Sequence, residues 1–435
     1  MSRYETYKPS GIDWIGNVPK DWKILRIKNV ASIVNGSTPS SSVEEYWDGD
    51  IIWATPGDFN KFDKIIDDSE SKITEAGYKS CGTSLVPVGS VVITTRAPIG
   101  NVLIAGKELC TNQGCKTLVP NRIESRFLYY IISISSIELN ILGQGTTFLE
   151  LSKESLGTFK LPLPEYEEQL SIAKYLDDQT QKIDRLIANK KAQAEKLKEL
   201  RQIEINNAVT KGLNPNAEMK DSGIEWLGKI PKHWEVKRTK NICQIVNGST
   251  PSSSIESYWD GDIIWVTPGD FKNFEHTIND SDSKITAEGY KNCGTSLVPI
   301  GSVILTTRAP IGNVLIASKE LCTNQGCKSL IPVRINSEFL YYYVSISSIQ
   351  LNVLGQGTTF LELSTGNLST FKVPLPPKEE QEEIVKHLQK RTTAIDQLIK
   401  NIEVQIEKLQ ELRKIKIYEA VTGKIKVNAY AETTA

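Results

Sequence analysis

Apolar residues follow two different rhythms along this chain. From residue 11 to about 160 they come in short runs, such as Ser90-Val91-Val92-Ile93-Thr94 and Asn101-Val102-Leu103-Ile104-Ala105, punctuated by Gly and Pro. That texture predicts strands and turns with a few helices, and Phe127 to Leu142 is expected to be one helix. At Leu161-Pro162-Leu163-Pro164 the rhythm changes, because proline cannot extend a strand ladder yet suits the first turn of a helix. Glu165 to about Lys211 has few breakers and stops at Gly212 before Asn214-Pro215, which predicts one long helix. At 1.5 Å per residue its roughly 45 residues would reach about 65 Å, longer than a small domain.

The whole pattern then recurs. Gly11 to Thr210 overlays Gly223 to Thr422 without insertion or deletion. Val34-Asn35-Gly36-Ser37-Thr38-Pro39 returns at Val246, Thr94-Thr95-Arg96-Ala97-Pro98-Ile99-Gly100 at Thr306, and Gly143-Gln144-Gly145-Thr146-Thr147 at Gly355. A unit this long is a domain, not a solenoid repeat of roughly 20 to 50 residues. Two such copies around a pseudo-two-fold axis would mimic a homodimer and suit a two-fold target such as duplex DNA. In the second copy Ile395, Ile399, Ile402, Ile406 and Leu409, followed by Leu412 or Arg413, step by four and three, a heptad seam. The first copy keeps Ile183, Ile187, Ala194 and Leu197, with Lys190 and Ala194 where the second has Ile402 and Ile406. Each helix needs a partner, and antiparallel pairing with the other copy's helix is expected. The alternative is an amphipathic helix lying on its own domain, against which its length counts.

One set of motifs runs in order along the chain. It comprises Ser222-Gly223-Ile224-Glu225-Trp226-Leu227-Gly228, also seen from Ser10, then Gly143-Gln144-Gly145-Thr146-Thr147, and Leu161-Pro162-Leu163-Pro164 with Glu168-Gln169. Ile183-Asp184-Arg185-Leu186-Ile187, Glu199-Leu200-Arg201, Ala208-Val209-Thr210 and the tail Ala420-Val421-Thr422-Gly423 complete it. The ordered set resembles the specificity (S) subunits of type I restriction-modification systems. Two departures stand out: the recognition domains, normally divergent, are nearly identical here, and Glu165 follows Pro164 where the second copy keeps Pro376-Pro377. The resemblance implies an α+β protein with two tandem target-recognition domains separated by two long helices in an antiparallel coiled coil. The expected segments are residues 1–160 and 213–372 for recognition, 161–212 and 373–427 for the helices, and 428–435 as a tail. Each recognition domain would read half of a bipartite site on double-stranded DNA. The helices would fix the spacing and dock two methyltransferase (modification) subunits, with restriction (translocase and nuclease) subunits joining them. Near-identical domains imply a near-palindromic target. The stretch Asn60-Lys61-Phe62-Asp63-Lys64, against Lys272-Asn273-Phe274-Glu275-His276, is where a one-base difference could arise.

Composition narrows the chemistry. With 39% hydrophobic and 24% charged residues and a net charge of −1, the chain is ordinary globular protein, whereas a free-standing DNA-binding domain is usually basic. Any basic surface is therefore local. Met1-Ser2-Arg3-Tyr4-Glu5 lacks an apolar signal region and no run approaches the roughly 18 apolar residues of a membrane span, so a cytoplasmic location without a membrane is expected. The odd count of seven cysteines argues against a disulfide framework. Cys110 and Cys115 could form half a zinc site, but no histidine is near them in sequence, and reduced, buried thiols are expected instead. Neither Gly106-Lys107-Glu108 nor Gly423-Lys424-Ile425 makes a Walker A loop, and no Asn-Pro-Pro-Tyr or Asp-Pro-Pro-Tyr methylation motif occurs. No catalytic residue, metal or cofactor is expected, and His233, His276 and His387 face Asp21, Lys64 and Tyr175 in the other copy.

Base edges in the major groove are matched by the paired donors and acceptors of Arg, Lys, Asn and Gln. Arg96 and Arg308 are the first candidates, then Asn112, Gln113 and Lys116 with Asn324, Gln325 and Lys328. Gly-flanked Gln144, Thr146 and Thr147, with Gln356, Thr358 and Thr359, suit a loop that approaches phosphate or base closely. Each could instead be an internal cap or strand-end bond. Trp47, Trp53, Trp259 and Trp265 are expected in cores. Two other readings are a coiled-coil scaffold that ignores DNA and a fused restriction-methylation enzyme of type II character.

Overall fold

The computed structural model describes residues 2–143, 149–356 and 361–427. Each copy builds the same five-stranded sheet. In the first, the order is Ala31–Asn35, Cys115–Pro120, Val91–Thr94, Val102–Ala105 and Ile65–Ile66, antiparallel except for the last pair. In the second it is Cys243–Asn247, Cys327–Pro332, Val303–Thr306, Val314–Ala317 and Thr277–Ile278, with the same pairing. The central strand Val91–Thr94 is buried along its whole length, which is why it reads as an unbroken apolar run. Successive side chains face opposite ways. Val91 and Ile93 join the core of Phe127, Leu128 and Ile131, whereas Val92 joins Ile52, Phe59 and Leu103. A smaller sheet sets Trp47–Ala54 between Cys110–Thr111 and Lys72–Ile73, and there Trp53, buried, meets half-buried Trp47 edge-on at 5.1 Å.

The single helix expected over Phe127 to Leu142 is two, Ser125–Ser133 and Ser136–Leu142. Serine hydroxyls flank the break. Ser133 Oγ and Ser135 Oγ donate to the carbonyls of Tyr130 and Ile131, at 2.8 and 2.7 Å, satisfying groups that a continuing helix would have used.

The two long helices run Tyr166–Lys211 and Lys378–Val421. Their starts explain the Pro-rich motif and the Glu-Gln pair after it. Gln169 is 1% exposed; its Oε1 accepts from Glu124 N at 2.8 Å and its Nε2 donates to Pro164 O at 2.9 Å. One amide thus ties the cap of the Ser125–Ser133 helix to the proline turn. Gln381 does the same for Asn336 N and Pro376 O, both at 2.8 Å.

By contacts the chain divides in the middle of each long helix, into residues 1–191 with 404–435, and residues 192–403. In the first unit fully buried Trp22 packs with Ile417, Ala420 and Val421 from the end of the second long helix, and its indole donates to Glu168 at 3.1 Å. That helix stops at Gly423, whose φ of +69° favours glycine and whose missing Cβ would lie 2.3 Å from Pro19 Cδ. In the second unit Trp234 packs with Ile205, Ala208 and Val209 from the end of the first long helix and donates to Glu380 at 2.9 Å. Within each unit the helix segments run antiparallel. Arg413 meets Asp184 at 2.9 Å in the first, and the equivalent Arg201 meets Asp396 at 2.9 Å in the second. Ile183, Ile187, Ala194, Ile395 and Ile402 are buried, while Leu197, Ile399, Ile406 and Leu409 are half-buried. Of the two candidates at the seam's end, Leu412 is exposed and Arg413 makes the ion pair.

Gln169→Leu should leave Glu124 N and Pro164 O without partners and destabilise by roughly 1 to 3 kcal/mol for each orphaned group. Denaturant unfolding of that variant and of Gln381→Leu checks this, and an exposed substitution such as Lys191→Ala is the unaffected control. A chain ending at Asn216 lacks Ile417, Ala420 and Val421 but carries their equivalents Ile205, Ala208 and Val209. It should therefore dimerise, a second copy supplying the cover for Trp22. Sedimentation showing a folded monomer at high concentration would contradict this.

Candidate nucleic-acid interface

Most of the described candidate residues meet at one end of the large sheet. Thr95 N donates to Gly114 O at 2.8 Å, which brings the loop after Val91–Thr94, with Arg96, beside the turn Asn112-Gln113-Gly114. Asn112 Oδ1 accepts from Gly114 N at 2.9 Å and shapes that turn. Gln113 is exposed and its Oε1 accepts from the Thr38 hydroxyl. Gly36 allows the close approach of that loop, since a Cβ there would lie 1.9 Å from Asn112 O. The internal-bond alternative thus accounts for the Asn112 carbonyl oxygen, while the Arg96 and Gln113 side chains stay accessible.

Glu150, a residue the sequence reading passed over, stands at the centre. It pairs with Arg96 as an isolated antiparallel bridge, and Arg96 Nε donates to Glu150 Oε2 at 3.1 Å. Lys116, only 8% exposed, places its ammonium 3.8 Å from the other carboxylate oxygen. Burial pushes the Lys116 ammonium below its ordinary value, and Glu150 opposes that shift. The second copy repeats the arrangement. Arg308 Nε and Nη2 both lie 3.2 Å from Glu362 Oε2, Asn324 Oδ1 accepts from Gly326 N at 2.9 Å, and Gln325 accepts from Thr250. Lys328 is buried, with its ammonium likewise pushed down by burial. Gln356 forms a backbone bridge with Glu362, both bonds at 2.9 Å, so the base of the Gly-Gln-Gly-Thr-Thr loop adjoins Arg308. Gln144, Thr146, Thr147, Thr358 and Thr359 lie outside the described residues.

The divergent stretch near Lys64 sits elsewhere. Lys64 bonds to Asp177 of the first long helix and to Tyr130 OH. Arg126 and Tyr130 OH reach the same carboxylate at 2.9 and 2.6 Å. In the second copy His276 turns to Glu338 at 2.8 Å and stacks on Tyr341. Lys61 is occupied by Glu70 at 2.8 Å. Phe62 and Phe274 are the same residue, and at least two of the four differing positions are thus engaged in contacts within their own unit.

A model of the type I restriction modification DNA specificity domain matches residues 19–196 and again residues 231–408. The chain belongs to this family. It is a type I specificity subunit with two recognition domains in tandem. It is 28% identical over 443 residues to the type I restriction enzyme MjaIX specificity subunit of Methanocaldococcus jannaschii, covering 95% of each chain. Over 440 residues it is 28% identical to the putative MjaX specificity subunit of the same organism, covering 95% of this chain and 96% of that one. The fold is shared with a solved chain from work on complex assembly and conformational transition of the type I R-M system, at a TM-score of 0.74 and 18% identity over 94% of this chain and 99% of that one. The HsdS subunit from Thermoanaerobacter tengcongensis aligns with a TM-score of 0.52 at 18% identity, over 94% and 98% of the two chains.

Among the described residues of this specificity subunit no cluster of three or more His, Cys, Asp and Glu could hold a metal ion, and no helix is long and apolar enough to cross a membrane. All seven cysteines are free. Burial pushes the thiols of Cys110, Cys115, Cys243 and Cys322 up to about 12, and that of Cys327 upward too. Because the thiolate is the reactive form, alkylation of the folded chain near pH ~8 should label the half-buried Cys81 and Cys293 and spare the other five. Mass spectrometry of the labelled peptides reads this directly, and label at Cys115 in the folded chain would contradict it.

Proposed function

We propose that this subunit reads a bipartite, near-palindromic site on double-stranded DNA, one half with each recognition domain, and performs no catalysis itself. The observation that carries the reading is the repetition of one polar constellation. Arg96, Lys116, Asn112, Gln113 and Glu150 recur as Arg308, Lys328, Asn324, Gln325 and Glu362, with Arg-to-Glu distances of 3.1 and 3.2 Å. Identical reading groups select identical bases, so the half-sites should match. Their inverted order is part of the proposal, and the methylation map below tests it.

In this proposal residues 1–160 and 213–372 are the reading domains, 161–212 and 373–427 the helical spacers, and 428–435 a tail. The spacers dock two methyltransferase subunits, which supply the chemistry in the cytoplasm, and restriction subunits join them. Gln144, Thr146, Thr147, Gln356, Thr358 and Thr359 are the further residues proposed to touch DNA.

Mapping methylated bases across a genome, after co-expression with the methyltransferase, should give two half-sites of the same sequence, inverted around an unspecific spacer. Two unrelated half-sites would overturn the matching of the domains. Binding of the complex to duplex DNA should also weaken with salt, with a slope set by the phosphates neutralised, and a complex that methylates nothing and shows no such binding would instead be the scaffold.

A further inference from the structure

We propose that Glu150 and Glu362 are positioning residues for DNA reading: each carboxylate holds the side edge of its arginine, Arg96 or Arg308, so that the end-on edge of the guanidinium is presented to a guanine. The inference rests on the DNA-reading function proposed above.

A guanidinium carries five donors in a fixed plane. Glu150 takes Nε of Arg96 at 3.1 Å, and Glu362 takes Nε and Nη2 of Arg308 through one oxygen at 3.2 Å. In both copies the carboxylate therefore occupies the side of the fork nearest the chain. The remaining edge, with Nη1 and the outer hydrogen of Nη2, is the one that matches guanine O6 and N7. Arg96 and Arg308 stay half exposed, at 50% and 48%, which leaves the guanidinium accessible to a ligand.

The carboxylate is itself held from behind. Glu150 is fixed at the backbone by its bridge to Arg96 and by Leu151 N donating to Thr95 O at 2.9 Å. Lys116, rooted in the sheet, puts its ammonium 3.8 Å from the second oxygen. A buried cation needs a charge partner, and this pairing draws the carboxylate towards the sheet while its other oxygen faces the arginine. A free arginine side chain loses rotamer freedom on binding, and one already held loses less. An exposed ion pair adds little to folding, and the same apparatus kept in both copies is better explained by orientation than by stability.

The test uses the full chain and a pool of randomised duplex DNA, sequenced before and after selection. All substitutions go in the first copy, so the half-site read by the second serves as internal reference. Arg96→Ala should relax one base position of one half-site by about 5- to 150-fold, the worth of a bidentate contact. Glu150→Ala should relax that same position, Glu150→Gln should retain part of the preference, and the double variant should be no worse than Arg96→Ala alone, as expected of coupled residues. Binding to unselected duplex should fall far less than binding to the selected site, and because Glu150→Ala deprives Lys116 of its charge partner, every selection is run well below the unfolding midpoint of the variant concerned. If Glu150→Ala leaves the selected sequence unchanged while Arg96→Ala does not, the positioning role is overturned and the reading surface stands. Relaxation at a different base, with losses that multiply in the double variant, would mean that Glu150 contacts DNA for itself, and the role is again overturned. A uniform loss across all sequences would assign Arg96 to phosphate and overturn it too. If the unsubstituted chain selects no sequence, the DNA-reading function fails and this inference falls with it.

Discussion

A buried tryptophan that its own copy cannot cover is the constraint on which the rest of this molecule depends. Trp22 and Trp234 are fully buried, and in each unit the cover comes from the end of the long helix that belongs to the other copy's sequence. Removing a tryptophan's cover exposes up to about 250 Å² of apolar surface. At about 25 cal/mol per Å² that is several kcal/mol, comparable with the whole stability of many domains. The Ala-Val-Thr ends of both helices are small because they press against an indole ring. Gly423 is a glycine because the chain must turn there with a Cβ-free face towards Pro19.

Much of this was legible in the sequence, for physical reasons that differ by element. The long helices were readable because a 3.6-residue period with few breakers persists far beyond a domain's width. The strands were readable because a strand buried on both faces, such as Val91–Thr94, has no polar alternation to confuse it with a loop. The break within Phe127 to Leu142 was hidden because serine is tolerated in a helix, as Ser171 is within the first long helix, where its hydroxyl also takes the carbonyl four residues back. The sequence shows that Ser133, Ser135 and Ser136 are close together; the carbonyls they take are visible only in three dimensions.

The candidate site divides along the same line. Arg96, Lys116, Asn112 and Gln113 are legible as candidates because residue type alone points to base recognition, and the structure brings them to one end of one sheet. Glu150 was not found, because a single glutamate far along the chain from Arg96 has no local spacing to mark it. Its only signal was repetition, since Phe148-Leu149-Glu150-Leu151-Ser152 returns unchanged as Phe360 to Ser364. Lys64 and His276 also differ between the copies, and each is engaged within its own unit. A difference between two copies marks a change of environment, and that environment can be a helix as readily as a base.

The division of the chain also bears on how it is made. The second unit is one uninterrupted stretch, residues 192–403, whereas the first needs two separated stretches, residues 1–191 and 404–435. A ribosome delivers these in order, so the second unit has its full set of residues before the first does, although its recognition domain is made later. Until the last helix emerges, Trp22 waits without Ile417, Ala420 and Val421, and such exposed apolar surface is what makes incomplete domains prone to aggregate. The end of the second helix therefore completes the part of the protein that was synthesised first, and loss of the last few dozen residues would be felt at the N-terminus.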